Sequence, residues 1–123
     1  MTDLQKLMDD VSEWSNKTFG DKQRNPAILY HLKKEVTELI IAFTNVGYLP
    51  KDITDEMLIA IVAEIKEEYA DCFMLLLDSA HHFGYTAENL IECTKAKLEI
   101  NKLRKWGTPD ENGVVEHIKD PEK

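Results

Sequence analysis

Apolar residues recur along this chain at intervals of three and four, and almost nowhere do they alternate. Leu4, Leu7, Met8, Val11 and Trp14 set the rhythm and predict an amphipathic first helix over 2–16. The stretch KTFGDKQRN interrupts it. Asn25-Pro26 then supplies a capping residue followed by proline at the first helical position, which predicts a second helix from Pro26 to about Thr44. NVGYLPKD reads as a turn-rich connector. A third helix is predicted over 54–82. Gly84 interrupts, Thr86 is placed to cap, and a fourth helix is predicted over 87–105. Beyond Trp106-Gly107 the tail GTPDENGVVEHIKDPEK is polar and punctuated by Pro and Gly. The expected organisation is one all-α domain over 1–108 and a locally packing polar extension over 109–123, with almost no strand.

Composition supports this pattern. Val and Thr are sparse beside Leu, Glu and Lys, and there are only 5 Gly and 4 Pro, a helix-favouring mixture. The length of 123 residues is enough for one domain with a core of useful size. A hydrophobic share of 43% with 31% charged residues is that of a globular chain, not a disordered one.

The net charge of −8 and the lack of a Lys/Arg run argue against binding to nucleic acid or to a membrane surface. No apolar run approaches the roughly 20 residues of a spanning helix. MTDLQKLMDD, charged from its third residue, has no signal-peptide character. The expectation is a soluble, cytoplasmic protein. Cys72 and Cys93 lie in apolar helical stretches without CxxC spacing, which predicts free, buried thiols.

The acids are placed oddly for a solvated face. On a wheel of the second helix, Ile28, Leu32, Val36, Leu39, Ala42 and Phe43 share one broad sector. His31, Glu35 and Glu38 fall within it or at its edge, whereas Lys33, Lys34 and Thr37 point away. On the third helix Met57, Leu58, Ile61, Ile65, Cys72 and Leu75 form the apolar side, with Glu64, Glu68 and Asp71 along its edge. Successive helices thus each offer an E-x-x-[E/D] pair, Glu35/Glu38 and Glu68/Asp71. Packed side by side, they bring four carboxylates together. Such a cluster is costly unless a hard divalent cation such as Mg²⁺ or Mn²⁺ meets it. The plainer alternative is a set of boundary residues paired with lysines one turn away.

The fourth helix lines up Lys97, Asn101 and Arg104 at i, i+4 and i+7. A cation, an amide and a guanidinium suit an anionic, oxygen-rich ligand, and with a metal cage they suggest a phosphate ester. A di-iron bundle needs Glu-x-x-His pairs on two helices; only Asp78-x-x-His81 imitates one. HExxH, GxSxG and Walker-type loops are absent. His81-His82, just before Phe83-Gly84, reads as a helix C-terminal feature that favours the dipole.

The order E-x-x-E, then E-E-x-x-D (Glu67, Glu68, Asp71), then K-x-x-x-N-x-x-R resembles the MazG-like all-α nucleoside triphosphate pyrophosphohydrolases. W-x-x-x-x-F-G (Trp14, Phe19, Gly20), H-L-x-K-E (His31 to Glu35), N-x-x-R-x-W-G (Asn101 to Gly107) and D-x-N-G-V-V-E-H are similar to the dATP/dGTP diphosphohydrolase branch. Nearly the whole chain is covered. One departure stands at Lys34, where many members carry a second Glu before Glu35.

The resemblance implies a four-helix-bundle-like fold completed by dimerisation, or a tetramer built from dimers. It implies Mg²⁺, replaceable by Mn²⁺, on Glu35, Glu38, Glu68 and Asp71. Water polarised by metal and by Glu38 then converts a dNTP, dATP or dGTP above all, to dNMP and pyrophosphate. Lys97, Asn101 and Arg104 take phosphate or sugar. Trp14 is placed to stack on the base or to serve as a core aromatic; His31 either touches phosphate, orients Glu35, or packs in the core. From the residues themselves, Ile40, Ile41 and Leu77 point away from the inferred cores and need covering, a motive for dimerisation. Two other readings stay open: the same chemistry on dUTP, dCTP or a modified nucleotide, and a non-catalytic helical scaffold.

Overall fold

A computed structural model describes residues 2–119. Among them the expected all-α fold is realised as four helices with no strand: α1 (Asp3–Phe19), α2 (Ala27–Val46), α3 (Asp55–His82) and α4 (Ala87–Leu103). The chain divides into two compact units, one reaching to Ala87 and the other beginning at Glu88.

Local chemistry sets the helix ends. Thr2 caps α1 by accepting from the Gln5 N–H at 3.1 Å, and Thr54 caps α3 by accepting from the Met57 N–H at 3.1 Å. α1 runs past the predicted end at residue 16, because Lys17, Thr18 and Phe19 contain no helix breaker. It stops at Gly20, whose φ of +98° is disfavoured for a side-chain-bearing residue. The start of α2 differs from expectation. Pro26 precedes the first helical residue, and no side chain caps it. Asn25 is committed elsewhere: its Nδ2 donates to the Ser79 carbonyl at 3.0 Å, and its Oδ1 accepts from Ser79 Oγ at 2.8 Å.

In the first unit α3 packs against both α1 and α2. Met8, Val11, Ile28 and Leu77 form its buried apolar centre. Leu77, expected to face away from the core, is only 1% exposed. With α3 gripped from two sides, its buried sector is wider than one stripe. Ile40 and Ile41 do stand exposed.

The inward face of α1 is partly polar. Ser12 and Ser15 are buried and donate to the two carboxylate oxygens of Asp78, at 3.0 and 2.6 Å. The Arg24 Nη2 joins Asp78 Oδ2 at 3.1 Å and also donates to Ser15 Oγ. Asp78 is 3% exposed, so these donors stand in for the water its charge has lost.

In the second unit the chain after α4 folds on itself. The Gly107 N–H donates to the Glu116 carbonyl at 2.8 Å and the Ile118 N–H to the Lys105 carbonyl at 2.7 Å, around an antiparallel bridge of Trp106 with His117. Residues 120–123 of the predicted extension lie outside the described residues. Both cysteines are free, but only Cys72 is partly buried; Cys93 is exposed, contrary to expectation, because a helical wheel places a residue on a sector without showing that anything covers it.

Candidate metal centre

The packing of α2 on α3 turns three wheel positions into one cluster. Glu35 of α2 meets Glu68 and Asp71 of α3, and one carboxylate oxygen from each lies within 4.8 Å of the other two. Glu68 and Asp71 are three apart, so one helical face presents both. Glu35 and Glu68 are partly buried, and Asp71 is exposed.

Charge is concentrated there without local compensation at one atom. The Glu68 Oε2 is buried and accepts no hydrogen bond among the described residues. Loss of solvent, then the charge of Glu38, then the neighbouring carboxyls of Glu35 and Asp71 push the Glu68 carboxyl above its ordinary range. The Cys72 thiol beside them is held protonated by burial first, then by the charges of Glu35, Glu68 and Asp71. The converging group itself is made of carboxylate oxygens, from Glu35, Glu68 and Asp71. An orphaned buried oxygen among converging carboxylates fits a hard divalent cation such as Mg²⁺ or Mn²⁺ and does not suit a softer metal.

The other expected residues fall in two places, some in the first unit and some in the second. Glu38, one turn along α2 from Glu35, lines a separate cavity of about 180 Å³ with Glu64, Glu68, Ile41, Ala42 and Asn45. His31 places its Nε2 3.3 Å from Glu35 Oε1 and lines a larger cavity of about 270 Å³. Trp14 lines the same cavity. It is 52% exposed and packs edge-to-face with Phe19 at 5.6 Å, so it is not a core aromatic. Lys97, Asn101 and Arg104 belong to the second unit, where Arg104 Nη1 donates to Asn101 Oδ1 at 3.0 Å and Lys97 is exposed.

The larger cavity also contains residues the helical wheels did not single out. Glu35 and Asp71 line it, and so do Ser15, Arg24 and Asp78, with Trp14, Phe19, Ile28 and Leu75 among its apolar members. A signal for Asp78 was present: it follows Asp71 by seven residues and continues the Glu64, Glu68, Asp71 edge of α3. No pattern marked Arg24, which lies in the connector between α1 and α2.

A sequence model of a family described as dATP/dGTP pyrophosphohydrolase matches residues 42–123. The matched region contains Glu68, Asp71, Lys97, Asn101 and Arg104, and begins after Glu35 and Glu38. No curated protein and no solved structure matches the chain. No helix among the described residues is long and apolar enough to cross a membrane.

Proposed function

The chain belongs to the dATP/dGTP pyrophosphohydrolase family, a family of hydrolases, and on that premise we propose that it converts a purine deoxynucleoside triphosphate and water to the monophosphate and pyrophosphate, with Mg²⁺ or Mn²⁺ as cofactor. The observation that carries this reading is the convergence of Glu35, Glu68 and Asp71 around the partnerless Glu68 Oε2.

Glu35, Glu68 and Asp71 would hold the cation, with Glu38 completing the acidic set from the Glu64/Glu68 side. When bound, the cation neutralises phosphate charge and makes a coordinated water more acidic. Glu38 accepts the proton as the water oxygen attacks the α-phosphorus. The bond from that phosphorus to the α,β-bridging oxygen breaks, and pyrophosphate departs with the electron pair. His31, beside Glu35, keeps that carboxylate oriented. Lys97, Asn101 and Arg104 contact phosphate or sugar, where a cation and a guanidinium offset developing charge. Trp14, at the cavity wall, stacks on the base.

We extend the proposal to a cytoplasmic homodimer or tetramer. Ile40, Ile41, Ile59 and Val62 are all more than half exposed on α2 and α3, and a second copy of the chain covers them. A panel of NTPs and dNTPs with Mg²⁺ and Mn²⁺ tests the reaction. Pyrophosphate is the expected primary product; orthophosphate in its place overturns the assignment.

A further inference from the structure

The 270 Å³ cavity has two chemically different ends. Glu35 and Asp71 line one, and Arg24, Ser15 and Asp78 the other, with Trp14 and Phe19 as aromatic walls. Asp71 and Asp78 stand seven residues apart on α3, about 10 Å along its axis at 1.5 Å per residue. That is the reach of a nucleoside from its 5′ phosphate to the far edge of its base. The volume lies just below the roughly 300–1,000 Å³ of typical small-molecule sites, and suits one heterocycle more than a whole nucleotide.

Arg24 is fixed at the far end. Its Nε donates to the Gly20 carbonyl at 3.2 Å, and its Nη2 is engaged by Ser15 and Asp78, with His82 Nε2 at 3.4 Å. Its Cζ sits over the Phe19 ring at 5.3 Å. No hydrogen bond from Nη1 joins these among the described residues. Asp78 is occupied in turn: Oδ1 accepts from Ser12 with His82 Nε2 at 3.5 Å, and Oδ2 accepts from Ser15 and Arg24. The far end therefore offers the Nη1 donors of Arg24 and no idle carboxylate acceptor. Arg has no acceptor of its own, so the N–H groups left on Nη1 call for acceptor atoms such as a base edge presents. Among purine edges, guanine presents such a pair at N7 and O6, whereas adenine presents N7 beside an amino donor.

We propose that Arg24 is a specificity-determining residue, donating to the N7/O6 edge of a guanine base held in this cavity, with Asp78 as the residue that positions it. The proposal rests on the reading above that the substrate is a purine deoxynucleotide.

The test compares dGTP, dITP, 7-deaza-dGTP and dATP as substrates, and the matching monophosphates as calorimetric ligands, for the wild-type protein and Arg24→Lys. dITP keeps N7 and O6 and should match dGTP. Loss of N7 in 7-deaza-dGTP, or of O6 in dATP, should lower kcat/KM about ten- to a hundredfold, the discrimination of a good base contact. In Arg24→Lys, which keeps the charge beside Asp78 but loses the Nη1 donors, dGTP and 7-deaza-dGTP should approach parity. Wild-type indifference to N7, or a gap unchanged in Arg24→Lys, overturns the proposal. Circular dichroism checks that the variant is folded; if it is not, the wild-type analogue series decides alone. Discrimination of dGMP from 7-deaza-dGMP without hydrolysis of any dNTP sinks the enzymatic reading and leaves the Arg24 assignment standing. Hydrolysis without discrimination does the reverse.

Discussion

Glu35 on α2 and Glu68 on α3 bring carboxylate oxygens within 4.8 Å of each other, and the Glu68 Oε2 has no hydrogen-bond donor among the described residues. Two acids so placed repel, and the helix pair is stabilised by whatever neutralises them. Mg²⁺ or Mn²⁺ at a hundredfold excess over its dissociation constant should add about 2.7 kcal/mol to unfolding stability. Thermal melts with and without metal measure it. Glu68→Gln should remove most of the gain, and a chain indifferent to both ions in the presence of nucleotide is a scaffold.

Glu38 lines a cavity with Glu64 and Glu68 and sits apart from the three converging oxygens. As proton acceptor it is expected to be worth about 10²–10⁴ in kcat. Glu38→Gln should lose pyrophosphate release by that factor and retain its helical circular dichroism. Full activity in this variant removes Glu38 from the reaction.

The metal-free chain should lose stability as pH rises. Glu68 holds its proton more tightly folded than unfolded, so its contribution is present below the ordinary glutamate range and disappears as pH climbs through the raised folded value. Cys72, raised for similar reasons, acts in the same direction at alkaline pH. Urea titrations of apoprotein across pH should show falling midpoints. In Glu68→Gln the acid-side portion of that fall should vanish.

Asp78 is buried among Ser12, Ser15 and Arg24. Asp78→Ala removes the acceptor for all three and leaves a largely buried guanidinium without its counter-charge. The expected cost is about 3–5 kcal/mol, read from urea unfolding. Asp78→Asn, which keeps one carbonyl acceptor, should cost less.

Ile40 and Ile59 are exposed apolar side chains on α2 and α3. If a second copy covers them, Ile40→Asp or Ile59→Asp should shift sedimentation toward monomer without loss of helix. A wild-type protein that is monomeric at micromolar concentration refutes the oligomer.

Much of this architecture is legible from periodicity. The apolar rhythm reveals four helices, and the E-x-x-E and E-x-x-D spacings point Glu35, Glu68 and Asp71 at one another. A wheel describes one helix in isolation, however, and not which neighbours it meets. Leu77 is buried because α3 is clasped on two sides, and Cys93 is exposed because an apolar sector need not be covered. Asn25 looked like a cap, but Ser79, distant in sequence, holds it. Ser12 and Ser15 lie on the buried face of α1 because Asp78 needs donors, a demand visible only once α1 and α3 are packed.

Arg24 stands in the short connector between α1 and α2, whereas Glu35, Glu38, Glu68 and Asp71 stand on helices. The acids are locked to helical register: a one-residue insertion in α2 or α3 rotates everything beyond it by about 100° and disperses the cluster. The connector has no such register to keep. Recognition and chemistry are therefore written in separate stretches of chain, and preference for a base can drift through substitutions at residues 20–26 while the acidic cage stays as it is.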